Sequence, residues 1–273
     1  FPKGTLPGAK GIFTEPAKPF ASREWIKCAV SPILPFGPKG SWDENIRERM
    51  WVIFEDGKFH AWYCGWKGKY DKTREKLPKL GYATSDDGVR WKKYEKNPIF
   101  TDRWVEDICV LKYGDTYYMY CEDESNDLTT IHLLTSKDKL NWTEHGDVLT
   151  KGSEDWERGW VGTPLVWIEG KRWYMLYEGG PPGDLGLAFS NDGKKWKRCD
   201  DDKNPVITHE KEGKGKEPFV APSSILKQGD TYTLIMHPPT IATSKDLINW
   251  KRLTSFKPNP DSFWFSAVLV DAG

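Results

Sequence analysis

The sequence has no run of about 18 consecutive apolar residues, no Cys-x-x-Cys, no cluster of histidines and no excess of either charge. Each absence removes a class of function. Without a long apolar run nothing in it is expected to span a bilayer, and the N-terminal Phe1-Pro2-Lys3-Gly4 lacks the apolar core of a secretory signal. Forty basic and 40 acidic residues cancel, so no long-range field would direct the chain onto nucleic acid or an anionic membrane surface. Neither is an expected partner. The five His are scattered and the five Cys have no zinc spacing, which predicts no metal, no cofactor and no disulfide framework. Cys64 and Cys121 fall at what read as matching places in two repeats, and are expected to be small buried apolar residues. Helical periodicity is missing as well, which excludes a helix bundle.

What the chain does have is aromatic residues, 15 Trp, 11 Tyr and 12 Phe, and a repeat. Ser85-Asp86-Asp87-Gly88-Val89-Arg90-Trp91 recurs as Ser136 to Trp142, Ser190 to Trp196 and Ser244 to Trp250, the Trp residues being 51, 54 and 54 apart. Asp with Gly or Asn makes a tight turn between two strands, and the Trp opens the outer one. Before each turn runs a second hairpin, as in Trp51-Val52-Ile53-Phe54, Asp56-Gly57 and Phe59-His60-Ala61-Trp62-Tyr63. Two hairpins make a four-stranded antiparallel sheet that cannot bury both faces alone, and radial stacking of such sheets buries them.

The fold predicted over residues 1–273 is therefore one all-β domain, a five-bladed β-propeller. Four blades are counted directly. A fifth is inferred from the ends: Ser22-Arg23-Glu24-Trp25 reads as a degenerate turn and Trp, Ser31-Pro32-Ile33-Leu34 as a blade exit like Asn97-Pro98-Ile99-Phe100 or Asn204-Pro205-Val206-Ile207, and Ser266-Ala267-Val268-Leu269-Val270 as an inner strand. Closing the ring with both termini would remove the exposed edge.

In a propeller the starts of the innermost strands converge on the central channel. The pairs there are Glu48-Arg49, Glu106-Asp107, Gly162-Thr163 and Ala221-Pro222, and they disagree from blade to blade. Three carboxylates opposite small residues predict an acidic, partly open pocket. Asp43, Asp155, Glu157 and Glu217 lie in loops that feed these strands, among Trp and Arg residues. Cleaving a glycosidic bond needs one protonated carboxyl, one ionised carboxylate and aromatic faces for sugar rings, all of which are available here. Asp86, Asp138, Asp192 and Asp246 are assigned to turn chemistry alone.

Gly81-Tyr82-Ala83-Thr84-Ser85-Asp86-Asp87-Gly88-x-x-Trp91 together with Asn97-Pro98-Ile99-Phe100 resembles the five-bladed propeller glycoside hydrolases, the broad group of families 43, 32, 62, 117 and 130. The resemblance spans most of the chain through scaffold motifs and implies a divergent member. Val105-Glu106-Asp107-Ile108-Cys109 matches the acidic half of the Glu-Asp-Pro-Arg of mannoside phosphorylases, with Ile108 and Cys109 in place of Pro and Arg. Family 43 enzymes place a Glu acid in the third blade, often as Glu-Gly-Pro. Here that position reads Val161-Gly162-Thr163-Pro164, so a loop carboxylate must serve, Glu157 first and Glu217 second.

The expected function is hydrolysis of a polysaccharide or oligosaccharide, furanosides among the candidates. The expected catalytic residues are Asp43, Glu48, Asp107 and Glu157, and the substrate-binding residues Arg47, Arg49, Glu106, Trp160, Thr163, Glu217, His237 and Trp264. A phosphorylase with a cationic pocket from Arg47, Arg49 and Arg158 is the alternative enzyme, and a sugar-binding propeller without catalysis the alternative class.

Overall fold

The computed structural model describes residues 29–69, 77–125, 129–153, 155–180, 183–200, 202–209, 220–255 and 267–268, with the backbone alone at 47, 48, 254 and 255. Among these residues sixteen strands form four antiparallel sheets, each in simple sequential order. The first holds β1 (Asn45–Glu55), β2 (Lys58–Trp66), β3 (Lys79–Ser85) and β4 (Lys92–Lys93). The second holds β5 (Glu106–Tyr113), β6 (Thr116–Asp123), β7 (Thr130–Ser136) and β8 (Trp142–Leu149). The third holds β9 (Val161–Glu169), β10 (Arg172–Gly179), β11 (Asp184–Ser190) and β12 (Lys197–Arg198), and the fourth β13 (Ala221–Gln228), β14 (Thr231–His237), β15 (Thr240–Ser244) and β16 (Lys251–Ser255). The first strands pack side by side in the order β1, β5, β9, β13, which is the arrangement of propeller blades around an axis. Ala267 accepts a hydrogen bond from Ser224 Oγ on β13, and Leu34 packs on Tyr63 and Ala83 of the first blade. Ser22 to Trp25, Ser266, Leu269 and Val270, on which the fifth blade depends, lie outside the described residues.

The repeated turn is built by side chains. Ser85 Oγ accepts the N–H of Asp87 and Gly88, and Asp87 Oδ1 accepts those of Val89 and Arg90. Ser136 with Asp138, Ser190 with Asp192, and Ser244 with Asp246 do the same. In the first blade the working aspartate is therefore Asp87 and not Asp86, because the turn needs the acid two residues after the Ser. The next residue must be left-handed: Gly88 (φ 71°), Lys139 (φ 74°), Gly193 (φ 70°) and Leu247 (φ 67°).

The second and third turns also lock neighbouring blades. Trp142 stands edge-on to Trp62 of the preceding blade at 5.9 Å, and both indole N–H groups donate to Lys139 O at 3.1 Å. One blade on, Trp196 meets Tyr120 at 5.8 Å while the Tyr120 hydroxyl donates to Gly193 O. Such aromatic pairs contribute about 0.5–1.5 kcal/mol beyond their buried area.

The Asn-Pro exits have a backbone role. Asn97 accepts from Tyr82 N and donates to Tyr82 O, and Asn204 does the same with Leu187, so each amide stands in for a further strand against β3 or β11. The described cysteines, Cys64, Cys109, Cys121 and Cys199, are buried, as small apolar residues are. They are not equivalent, however: Cys64 pairs with Leu80 and Cys121 with His132, one step out of phase within their blades.

Replacing Asn204 with Ala removes the acceptor of the buried Leu187 N–H on β11 and one of the two donors to Leu187 O, which keeps its bond from Cys199 N. It is expected to lower unfolding free energy by about 2 kcal/mol in urea denaturation, with the β-sheet circular dichroism unchanged.

Candidate active site

All four innermost strands begin at the same end of the axis, and all four carry a bulge there. Pairing with the second strand lapses between Arg47 and Trp51, Glu106 and Cys109, Gly162 and Leu165, and Pro222 and Ser224. Inside two of these bulges Asp107 and Thr163 hold a left-handed backbone, φ 44° at each. Such a conformation costs about 1–3 kcal/mol in a residue with a side chain and is most unusual for a β-branched one. It persists where surrounding contacts fix it.

At Thr163 those contacts are two carboxyls. Its backbone N–H donates to Glu122 Oε2 at 2.7 Å and its hydroxyl to Glu178 Oε2 at 2.9 Å. Gly162 makes room for them, since a Cβ there would lie 2.3 Å from Glu122 Oε2 and 2.8 Å from Trp160 Nε1. Burial pushes the Glu122 carboxyl well above the usual carboxylate range, and the charges of Asp107, Glu124 and Glu178 push it further. Burial likewise raises Glu178 to about 8, with Asp107 and Glu124 contributing and the Thr163 hydrogen bond opposing. Glu178 is thus a proton-bearing acid near neutral pH, and Glu122 is shifted in the same direction, both under the influence of Asp107. Glu106 is buried next to them and accepts the Trp104 indole N–H at 2.8 Å.

Neither Glu122 nor Glu178 is among the residues expected from the sequence. The signal lies in the strand register. Phe59, Tyr117, Trp173 and Tyr232 each pair with a turn serine, and five residues beyond them stand Cys64, Glu122, Glu178 and His237. These four form one column at the channel end of the second strands, facing Arg47, Glu106, Gly162 and Ala221 on the first. His237 is a buried member of the column, and burial lowers it to about 4, so it is neutral at pH 7.

Arg49 does not form an ion pair with Asp107 or Glu106. Its guanidinium, 2% exposed, donates to the carbonyls of Ile108 (3.2 Å), Asp107 (2.8 Å), Pro164 (2.5 Å) and Pro222 (2.7 Å), reaching three other innermost strands. Four of its five N–H donors are used on backbone, so it is a crosspiece under the carboxyls and has little left for a substrate. Below it, at the far half of the same strands, lies a cavity of about 320 Å³ lined by Trp51, Leu111, Leu165, Trp167 and Ile225 among others.

Asp43 and Glu157 are spent in the scaffold. Glu157, fully buried, accepts from Arg198 Nε at 2.6 Å, the Tyr177 hydroxyl at 2.7 Å and Gly152 N, while Trp156 packs beside Tyr177. Asp43 repeats this in the first blade with Lys93 at 2.6 Å, Tyr63 and Trp42. Lys93 and Arg198 occupy the same place on β4 and β12, opposite Ala83 and Ala188. Neither carboxylate is among the charges acting on Glu122 or Glu178. The two carboxylates thus form a repeated buried ion pair beside the loops entering β1 and β9.

Trp160 is half-buried over Gly162 with its indole N–H directed into the protein, and Thr163 bridges the two acids. Arg47 and Glu48 lie on β1 at its bulge, their side chains outside those described, and Glu217 and Trp264 lie outside the described residues. Among the described residues no three His, Cys, Asp or Glu side chains are grouped to hold a metal ion.

No family model matches the chain. It is 29% identical over 175 residues to the 1,2-β-oligomannan phosphorylase of Thermoanaerobacter sp. (strain X514), covering 60% of this chain and 56% of that protein. It is 30% identical over 139 residues to the β-1,2-mannobiose phosphorylase of the same organism, covering 45% and 46%. The chain thus spans about half the length of the curated relatives it matches. Among solved structures it is similar to one from work on the GH130 family of mannoside phosphorylases and its glycoside hydrolases that target β-1,2 mannosidic linkages in Candida mannan (TM-score 0.63, 16% identity, 81% and 74% covered). It is also similar to Zg3597, a family 117 glycoside hydrolase of Zobellia galactanivorans (TM-score 0.60, 18% identity, 83% and 75% covered). At these identities the structural likeness shows the fold.

The raised Glu178 has a consequence for stability. Between its ordinary value of 4.5 and about 8 the unfolded chain gives up a proton that the folded chain keeps. Its contribution is therefore intact below about pH 4.5 and is lost as pH rises to about 8. Glu178→Gln removes this dependence, so the variant is expected to gain on the wild type by up to about 1.4 kcal/mol per pH unit across that window. Urea unfolding at pH 5, 6.5 and 8 measures it, and a difference that does not change with pH refutes it.

Proposed function

We propose that this chain, a divergent relative of the propeller glycoside hydrolases and phosphorylases, cleaves glycosidic bonds by hydrolysis at the bulged end of its channel. The observation that carries the reading is the meeting of two carboxyls shifted upward, Glu122 and Glu178, with Asp107 around Thr163. In this scheme Glu178 gives its proton to the leaving oxygen while the Asp107 carboxylate activates water or attacks the anomeric carbon. Trp160 offers an aromatic face and an indole N–H beside them.

Hydrolysis is preferred to phosphorolysis on electrostatic grounds. A phosphate nucleophile needs free cationic donors. Among the described residues the charges acting on Glu122 and Glu178 are carboxylates, the guanidinium of Arg49 is engaged with backbone carbonyls, and Arg158 is exposed, while the Arg47 side chain lies outside those described. Phosphorolysis stays as the second reading because two curated relatives are phosphorylases, and their names make β-1,2-mannosides the first substrates to try.

The test is incubation with β-1,2-mannobiose and longer oligomers, and with arabinofuranosides, with and without inorganic phosphate. Free sugar formed without phosphate is expected. A sugar 1-phosphate formed only with phosphate would establish phosphorolysis, and glycan binding without cleavage would establish a lectin. Asp107→Asn is expected to lower turnover by about 10³-fold with an unchanged circular dichroism spectrum, and near-normal turnover would remove Asp107 from the mechanism.

A further inference from the structure

The bulges that shape the site create a problem of their own. Each one takes backbone carbonyls out of the strand ladder at the centre of the molecule, where an unpartnered carbonyl costs about 1–3 kcal/mol. Four such carbonyls, on Asp107, Ile108, Pro164 and Pro222, converge on Arg49. Two belong to the bulge holding left-handed Asp107, and Pro164 directly follows left-handed Thr163. Arg49 reaches this point from a bulge of its own, with its guanidinium 5.3 Å from the Trp51 ring.

We infer that Arg49 is a positioning residue, which sets the direction of the Asp107 carboxyl by holding the carbonyls of Asp107 and Ile108 against those of Pro164 and Pro222. A planar fork with donors on several edges can join three strands in fixed relation, which an ammonium on a flexible stem does less well. Asp107 stands on β5 and Thr163, which bridges the carboxyls of Glu122 on β6 and Glu178 on β10, stands on β9, and β5 and β9 are strands that this fork ties together. Their separation is thereby set from below, without Arg49 touching a substrate. The inference rests on the reading of Asp107 and Glu178 as the reacting carboxyls.

Arg49→Lys and Asp107→Asn in the whole chain test it, with two measurements. The first needs no substrate: carbon-13 NMR titration of the Glu178 side-chain carboxyl, which the charge of Asp107 raises. Asp107→Asn is expected to lower the Glu178 midpoint, and Arg49→Lys to move it the same way by about 0.5 pH unit or more as Asp107 turns aside. The second is turnover, where Arg49→Lys is expected to reduce kcat by about 10²-fold and leave KM within about threefold. A lowered melting temperature with the Glu178 midpoint and the kcat of the folded variant both at wild-type values overturns the inference and leaves Arg49 as a structural tie. Should Arg49→Lys not fold, Arg49→Gln, which keeps two N–H donors, is read in the same way. Full turnover by Asp107→Asn defeats the catalytic reading instead, while the NMR titration still decides whether Arg49 sets the geometry between Asp107 and Glu178.

Discussion

One guanidinium occupies the point that the four described innermost strands approach. A sheet of four strands ends on its first strand with one row of backbone groups facing the axis, and bulging that strand exposes carbonyls that no neighbouring strand can take. Arg49 takes them from three blades at once. The charge that would be costly to bury alone is solvated by peptide dipoles, and the dipoles that would be costly to bury alone are met by the charge. The two requirements answer each other, and the site above depends on that exchange because Asp107 and Thr163 hold their left-handed turns next to it.

The blades alternate in a way that a period of about 50 residues does not express. The first and third share the Trp, acid, Tyr and cation group of Asp43 and Glu157, and the Asn-Pro exit. They also share a clamp to the following blade: Glu55 takes Lys112 and the Tyr117 hydroxyl, and Glu169 takes Lys227 and the Tyr232 hydroxyl. At the boundary between second and third blades Tyr113 stands 5.3 Å from Trp173 instead. A loop carboxylate preceded by Trp therefore recurs in alternate blades for a scaffold reason, which accounts for both Asp43 and Glu157.

How much of this is legible from residues alone follows from the type of interaction. The Ser, Asp and Trp of the turns act within seven residues, so their spacing shows in the chain and the blades can be counted. Asp107 and Glu106 are visible because they open a strand whose counterparts in the third and fourth blades, Gly162-Thr163 and Ala221-Pro222, are uncharged. Glu122 and Glu178 are not, because each sits at the far end of an aromatic strand, where only the serine register shows that they share a column with Cys64 and His237. Cys64 and Cys121 mislead for the same reason, one residue being enough to change which face of a strand is meant. Arg49 is invisible as a tie because its partners are carbonyls, which carry no sequence signature.

Burying acids in place of bases is what gives the column a chemical direction. A carboxylate in water is a weak base and a carboxylic acid in water loses its proton near pH 4, so neither protonates a leaving oxygen at neutral pH. Enclosing Glu122 and Glu178 with a charged neighbour raises both and holds the proton of Glu178 near neutral pH, because ionising one more carboxyl would add charge to a place where Asp107 already acts. An incoming phosphate dianion would meet the same opposition, whereas a water molecule and a neutral sugar would not. Under the hydrolytic reading proposed above, the electrostatics that keep the acid protonated would also favour water as the nucleophile, and Arg49, tied to four carbonyls, offers no free donor to a phosphate.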